Sequence, residues 1–208
     1  MGLTGRSAVD FHVITDVLIC SALVLSLVAS TVLSVFAYLR SRRVYVWFAA
    51  GTLGTAMLAA ASLESPIAFG LAPLVTLLGL TTAVFGGSPA AATALDLAMG
   101  GTVAPGLHGG IIVADRRTKA EEQQGLQATT RREVLRGGLT IGVLERIASA
   151  GAIVAGFPEA LAIVVAVKGV GRFTELEAPE ARERFIIGTF ASLIWACAAA
   201  FVVHLAIR

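Results

Sequence analysis

The sequence predicts an all-α fold: a polytopic membrane helix bundle of about six transmembrane helices, plus one short interfacial or re-entrant helix. Composition is the first reason. Hydrophobic residues make up 56% of the 208-residue chain and charged residues only 14%, where soluble domains run near 25% charged; mean hydropathy is +0.83. The second reason is segment length. A hydrocarbon core about 30 Å thick needs roughly 20 apolar residues of helix, and Val17–Leu39 supplies such a run without a charge. The third is that arginines sit in short blocks beside the apolar runs, where they act as topology signals.

Taken in order, the first span covers about 16–38 and ends at Arg40, Arg42 and Arg43, which places that end in the cytoplasm. A second, 44–63, opens with the interfacial aromatics Tyr45, Trp47 and Phe48 and returns outside at Glu64-Ser65-Pro66. The third, 66–85, comes back in. Pro66 and Pro89 each follow a serine, the N-cap and N1 pattern of a new helix. Residues 88–114 contain Asp96, Gly100-Gly101, Pro105-Gly106, His108 and Gly109-Gly110, so they predict a short helix over 89–99 and then a Gly-rich loop. A full span there would put 115–136 outside, although it holds Arg116, Arg117, Lys119, Arg131, Arg132 and Arg136 against Asp115, Glu121, Glu122 and Glu133. That segment is therefore expected as a cytoplasmic charged loop. Spans at 138–157, 158–173 and 185–207 follow, in a single integral membrane domain with both termini outside. The first apolar run is too long for a signal peptide and is expected to be retained.

A formal net charge of +2 gives no reason to expect a nucleic-acid partner. Only Lys119 and Lys168 among the 16 basic residues are lysine, and this bias, with abundant Ala and Gly, points to a GC-rich bacterial genome and a bacterial plasma (inner) membrane. Cys20 and Cys197 fall inside spans as small packing residues. Small residues recur every four positions at Ala22, Ser26, Ser30 and Ser34, at Gly51, Thr55 and Ala59, at Ala148, Ala152 and Gly156, and at Gly188, Ser192, Ala196 and Ala200. Such stripes let membrane helices approach closely.

The chemistry concentrates in a charged hairpin. Glu145 and Arg146 lie on the inner part of one helix, Lys168 and Arg172 on the inner part of the next, and the turn between them is Gly156-Phe157-Pro158-Glu159. Intramembrane charges are costly and normally face a bundle interior. Glu145 shares its face with Ala148, Ala152 and Gly156 and is expected to pair with Arg172 or Lys168, while Arg146 and Arg172 snorkel to the inner headgroups. One such pair leaves two cations for an anionic lipid headgroup, an anionic solute or an acidic partner segment.

Gly142-Val143-Leu144-Glu145-Arg146, Gly156-Phe157-Pro158-Glu159, Ala166-Val167-Lys168-Gly169 with Gly171-Arg172-Phe173, Phe185-Ile186-Ile187-Gly188-Thr189 and Ser192-Leu193-Ile194-Trp195 resemble the C-terminal motif of an uncharacterised bacterial multi-pass membrane family, a domain of unknown function. The resemblance covers about 135–203 and implies no activity. An early His-x-x-x-Asp feature of that family is matched by His12 and Asp16.

Elsewhere, His12, Asp16 and His204 could hold a divalent metal only if the two chain ends meet. They are expected to be hydrated interfacial groups. His108 is expected in solvent, and Asp96 on the wet face of its short helix. No catalytic motif and no cofactor fingerprint is present, so neither an enzyme nor a bound cofactor or metal is expected. Two functions remain. One is an accessory or scaffold component whose inner-leaflet hairpin binds an anionic lipid or a membrane partner. The other is a small-solute or ion transporter, acting as a homo-oligomer, for which Ser26, Ser30, Ser34, Thr55, Glu145 and Lys168 would form a continuous polar route. The topology predicts that single cysteines near Glu64 and Pro158 react with an impermeant thiol reagent in intact cells, while those in 115–136 and 174–184 stay protected. Strong external labelling near Gln124 would overturn it.

Overall fold

The computed structural model describes the backbone of residues 3–99, 111–114, 131–134, 138–172 and 179–208, with side chains from Val13 onward except those of 111–114, 131–134, 172 and 180. Among these residues are six helices: α1 (Leu3–Arg40), α2 (Arg43–Ala61), α3 (Ala72–Ala98), α4 (Gly138–Val154), α5 (Ala160–Arg172) and α6 (Pro179–Ile207). Strands β1 (Ile111–Ala114) and β2 (Arg131–Val134) pair antiparallel, Ile111 opposite Val134. They bracket part of the segment expected as loop.

Four helices are long and apolar enough to cross a membrane: Val13–Arg40, Arg43–Ala61, Ala72–Ala98 and Ala181–Ile207. This corrects the expectation of six. The 17 residues of α4 and the 13 of α5 reach only about 25 Å and 20 Å at about 1.5 Å per residue. The third span and the short helix after it are one element, because α3 runs through Pro89. A proline inside a helix removes one backbone hydrogen bond, a loss that membrane helices tolerate where neighbours supply other partners. Ser65-Pro66 caps nothing; Pro73 in the first turn of α3 does that work.

α1 packs on α2 and α3, α6 packs on the same two helices, and α4 leans on α3 and α6 with α5 outside it. The four long helices thus close a ring in the order α1, α2, α6, α3. Arg40, Arg42 and Arg43 lie at the α1–α2 turn, at the same end as the start of α6 with Arg182 and Arg184, which defines a basic end. The opposite end is closed where the Ile67 N–H donates to the Ala206 carbonyl at 2.9 Å.

Small residues set how close the helices come, on the expected stripe of α6 at Ala196 and Ala200 and on the inner half of that of α1 at Ser30 and Ser34, but on a different face of α2. On α2 the buried positions are Val46, Ala49, Leu53, Ala56 and Ala60, whereas Gly51 and Thr55 are exposed. α1 buries Leu23, Leu27, Ser30, Ser34 and Ala37, with Ala22 exposed. The tightest approach is α3 on α6. A Cβ on Gly79 would stand 2.1 Å from Val203 Cγ2, and one on Gly86 would stand 2.1 Å from Trp195 Nε1. Trp195 fills the space beside Gly86 and donates its indole N–H to the Thr82 carbonyl at 3.0 Å. The Thr82 and Thr31 hydroxyls bond at 2.8 Å, and Ser30 donates to the Ala49 carbonyl at 3.1 Å. Buried polar side chains thereby stitch all four long helices, the interhelical bonding expected where lipid supplies no hydrophobic drive between helices.

Two turns use left-handed backbone. Gly156 ends α4 at φ +76°, with the Phe157 N–H donating to the Ala152 carbonyl at 2.8 Å, the six-to-one bond of a Schellman cap. Ser41, at φ 50°, turns α1 into α2, a position a glycine would occupy with less strain.

Gly86→Ala should push Trp195 off α3 and lower the detergent melting temperature, with an overpacking cost of about 1–3 kcal/mol. Gly51→Ala and Gly54→Ala, whose Cβ would meet nothing within 4 Å, should hold stability or raise it by up to about 1 kcal/mol. Thermal unfolding of the three variants checks this.

Candidate functional site

Adjacent residues on a helix point about 100° apart, and α4 uses that offset to send Glu145 and Arg146 to different neighbours. The buried face of α4 is Gly142, Arg146, Ser149 and Ala150. It is not the face of Ala148, which is exposed, or of Gly156. Arg146 enters the junction of α3, α4 and α6 and is 3% exposed. Its Nη1 donates to Ser192 Oγ of α6 at 3.0 Å and its Nη2 to Ser88 Oγ of α3 at 2.9 Å.

Two glycines make the passage. A Cβ on Gly87 would lie 2.3 Å from Arg146 Cδ, and one on Gly142 would lie 3.2 Å from Arg146 Nη1. Gly86 and Gly87 thus admit Trp195 and Arg146 side by side into α3.

Glu145 turns the other way, and its Oε2 pairs with Lys168 Nζ of α5. The two side chains are 11% and 15% exposed, and the Lys168 ammonium lies 5.6 Å from the centre of the Phe185 ring on α6. Of the two partners expected for Glu145, Lys168 holds the position; the Arg172 side chain lies outside the described residues. Arg146 does not snorkel. Ser88 stands about 24 Å along α3 from Ala72 and about 15 Å from Ala98, and Ser192 about 22 Å along α6 from Ile207 and about 16 Å from Ala181, at about 1.5 Å per residue. Both counts place the guanidinium in the apolar middle of the bundle, slightly toward the basic end.

Burying a guanidinium there is costly unless its donors are satisfied and its charge is met. Here both partners are neutral hydroxyls. Glu145 and Lys168 neutralise each other, so the cluster keeps the positive charge of Arg146. Arg146 Nε, Glu145 Oε1 and Ser149 Oγ, all within two turns of α4, are buried polar atoms with no hydrogen bond among the described residues. Toward the basic end Lys168 follows, and then Arg182 and Arg184 on the first turns of α6. The basic groups are therefore graded from the surface to the buried site.

The expected polar route does not form. Ser30 is spent on the Ala49 carbonyl, Ser26 and Thr55 donate within their own helices, and Thr55 is exposed. They belong to α1 and α2, across the ring from Glu145 and Lys168. Asp96 binds Arg43 at 2.6 Å and ties α3 to α2 at the basic end. His204 stacks on Phe201 at 6.3 Å, while the side chain of His12 and all of His108 lie outside the described residues. Among the described residues no group of three His, Cys, Asp or Glu side chains is placed to hold a metal ion.

Sequence reasoning missed Ser88, Ser149 and Gly87. Ser88 was read as a helix cap because proline follows it. A signal was there in Gly86-Gly87-Ser88, two bare positions and a hydroxyl consecutive on one helix. No family model, curated protein or solved structure matches the chain.

Removing one member of a buried ion pair strands the other, at a cost of about 3–5 kcal/mol. Glu145→Gln and Lys168→Met should each destabilise the protein, and the double variant should recover most of the loss. A double-mutant cycle by thermal unfolding reads the coupling directly; zero coupling would remove the pair.

Proposed function

We propose that this chain is a multi-pass membrane protein that binds a small anionic group inside its helix bundle at Arg146. The observation that carries this reading is the 3%-exposed guanidinium held by two neutral hydroxyls, with Nε unbonded. Guanidinium N–H groups make charge-assisted hydrogen bonds to carboxylate or phosphate oxygens; Nε has no partner among the described residues, and Ser149 Oγ is a further unpartnered polar group one turn away on α4. Arg182 and Arg184 belong to the basic end, which the positive-inside rule assigns to the cytoplasm and which attracts an anion from that side.

This reading keeps the anion-binding role of the charged hairpin and moves its centre from the inner surface to the bundle interior. The anionic group has two sources, a free solute or the headgroup of an inner-leaflet lipid. With no polar route through α1 and α2 among the described residues, the reading favours binding in an accessory component over transport. The bacterial plasma membrane, and kinship with the uncharacterised membrane family resembled by residues 135–203, complete the proposal.

Arg146→Leu is the decisive variant. Replacing a buried charge by an apolar side chain of similar volume is neutral or stabilising when the charge serves only structure, and Ser88 and Ser192 can turn back to their own helix carbonyls. Inorganic phosphate at a hundredfold excess over its dissociation constant should stabilise the native protein by about 2.7 kcal/mol and leave folded Arg146→Leu unchanged. If phosphate has no effect on the native protein while native mass spectrometry finds anionic lipid lost in Arg146→Leu, the source is a headgroup. Arg146-dependent phosphate flux into liposomes would establish transport. The reading fails if folded Arg146→Leu matches the native protein in all three measurements.

A further inference from the structure

At the end of the bundle opposite the basic end, a cleft of about 600 Å³ opens with α6 as its floor. Met57 of α2 forms one wall, Ile153 of α4 and Pro158 of the following turn form the other, and Ala198 and Phe201 of α6 lie between. The volume is that of a small-molecule site. Its lining is apolar except for Glu159, Cys197 and His204. It is distinct from the Arg146 site, since Gly156 on its wall is about 15 Å along α4 from Arg146 at about 1.5 Å per residue.

We propose that this cleft binds one acyl chain of a phospholipid whose headgroup carries a primary ammonium, with the ammonium on Glu159. Three observations carry the assignment. The cleft opens outward: Phe201 of its lining is 44% exposed, and Leu58 and Phe157, each next in sequence to a lining residue, are 71% and 60% exposed, so the occupant enters sideways from the leaflet. Glu159 is exposed and carries no ion pair among the described residues. It stands immediately before α5, on the turn that forms one wall of the cleft. Glu159 and His204 sit nearest the end of the bundle, while Ile153, Cys197 and Ala198 lie deeper along α4 and α6, which is the order of an amphiphile. His204, held flat against Phe201 at an interplanar angle of 18°, offers a ring nitrogen to the phosphodiester. Charge decides the headgroup class, because a carboxylate at the mouth repels a net-anionic lipid and accepts hydrogen bonds from a primary ammonium.

The test is native mass spectrometry of the full chain, equilibrated in mixed micelles with equal amounts of phosphatidylethanolamine, phosphatidylcholine and phosphatidylglycerol. The native protein should retain phosphatidylethanolamine about fivefold over either competitor, the scale of one partly exposed ion pair. Glu159→Gln should bring the ratio near one while keeping a bound lipid. Ala198→Trp, which fills the floor, should lose the lipid altogether, and Met57→Trp does the same from the wall should the first variant fail to fold. Equal retention of the three lipids by the native protein, or undiminished retention in a folded tryptophan variant, overturns the proposal. So does a preference for phosphatidylglycerol; if Arg146→Leu abolishes it, the lipid belongs to the buried arginine, and the two sites fail or stand separately.

Discussion

Everything in the middle of this bundle is arranged around one side chain that has no ordinary reason to be there. Arg146 spans from α4 to hydroxyls on α3 and α6, and the neighbouring choices follow from giving it room. Gly87 has no side chain where one would collide with the arginine, and a Cβ on Gly142 would crowd its Nη1. Gly86 is bare so that Trp195 can lie next to it. Where helices are no more attracted to one another than to lipid, packing and polar bonds choose partners. The serine–arginine–serine bridge and the Trp195–Thr82–Thr31 chain are those bonds.

The second constraint is the separation of Glu145 from Arg146. Had the two adjacent residues answered each other, the hairpin would be neutral and self-contained. Instead Lys168 takes the carboxylate, and α5 is held against α4 by that pair. Arg146 keeps serine hydroxyls as its hydrogen-bond partners inside the bundle, with the Glu145 carboxylate as a nearby counter-charge that it shares with Lys168.

The membrane character and long apolar helices were legible from composition and run length, because the cost of exposing backbone to lipid forces long uninterrupted helices. Their number was not. Residues 138–157 and 158–173 are apolar enough to cross, yet helix length after capping at Gly156 leaves them short. Pro89 misled in the other direction, since local preference says that Ser-Pro starts a helix, while tertiary contacts carry α3 through it. The charged residues of the site were visible as ionisable groups in apolar context. Their geometry was not visible, because the small-residue stripe expected to bury Glu145 was the wrong one, and the face that buries Arg146 is marked by Gly142 and Ser149. A single-residue rotation of α4 separates the two arrangements.

Pro89 also gives α3 a mechanical character. Without its N–H, the carbonyl of Phe85 has no partner four residues on, so one rung of the backbone ladder is missing in the middle of α3. On one side of that rung α3 is packed against α6 at Gly79 and Gly86; on the other it carries Asp96, anchored to Arg43. Ser88, one of the two hydroxyls on the guanidinium, sits beside the missing rung. The seat of the arginine is thus built where the backbone of α3 resists bending least, and the contacts on either side carry the stiffness that the ladder lacks.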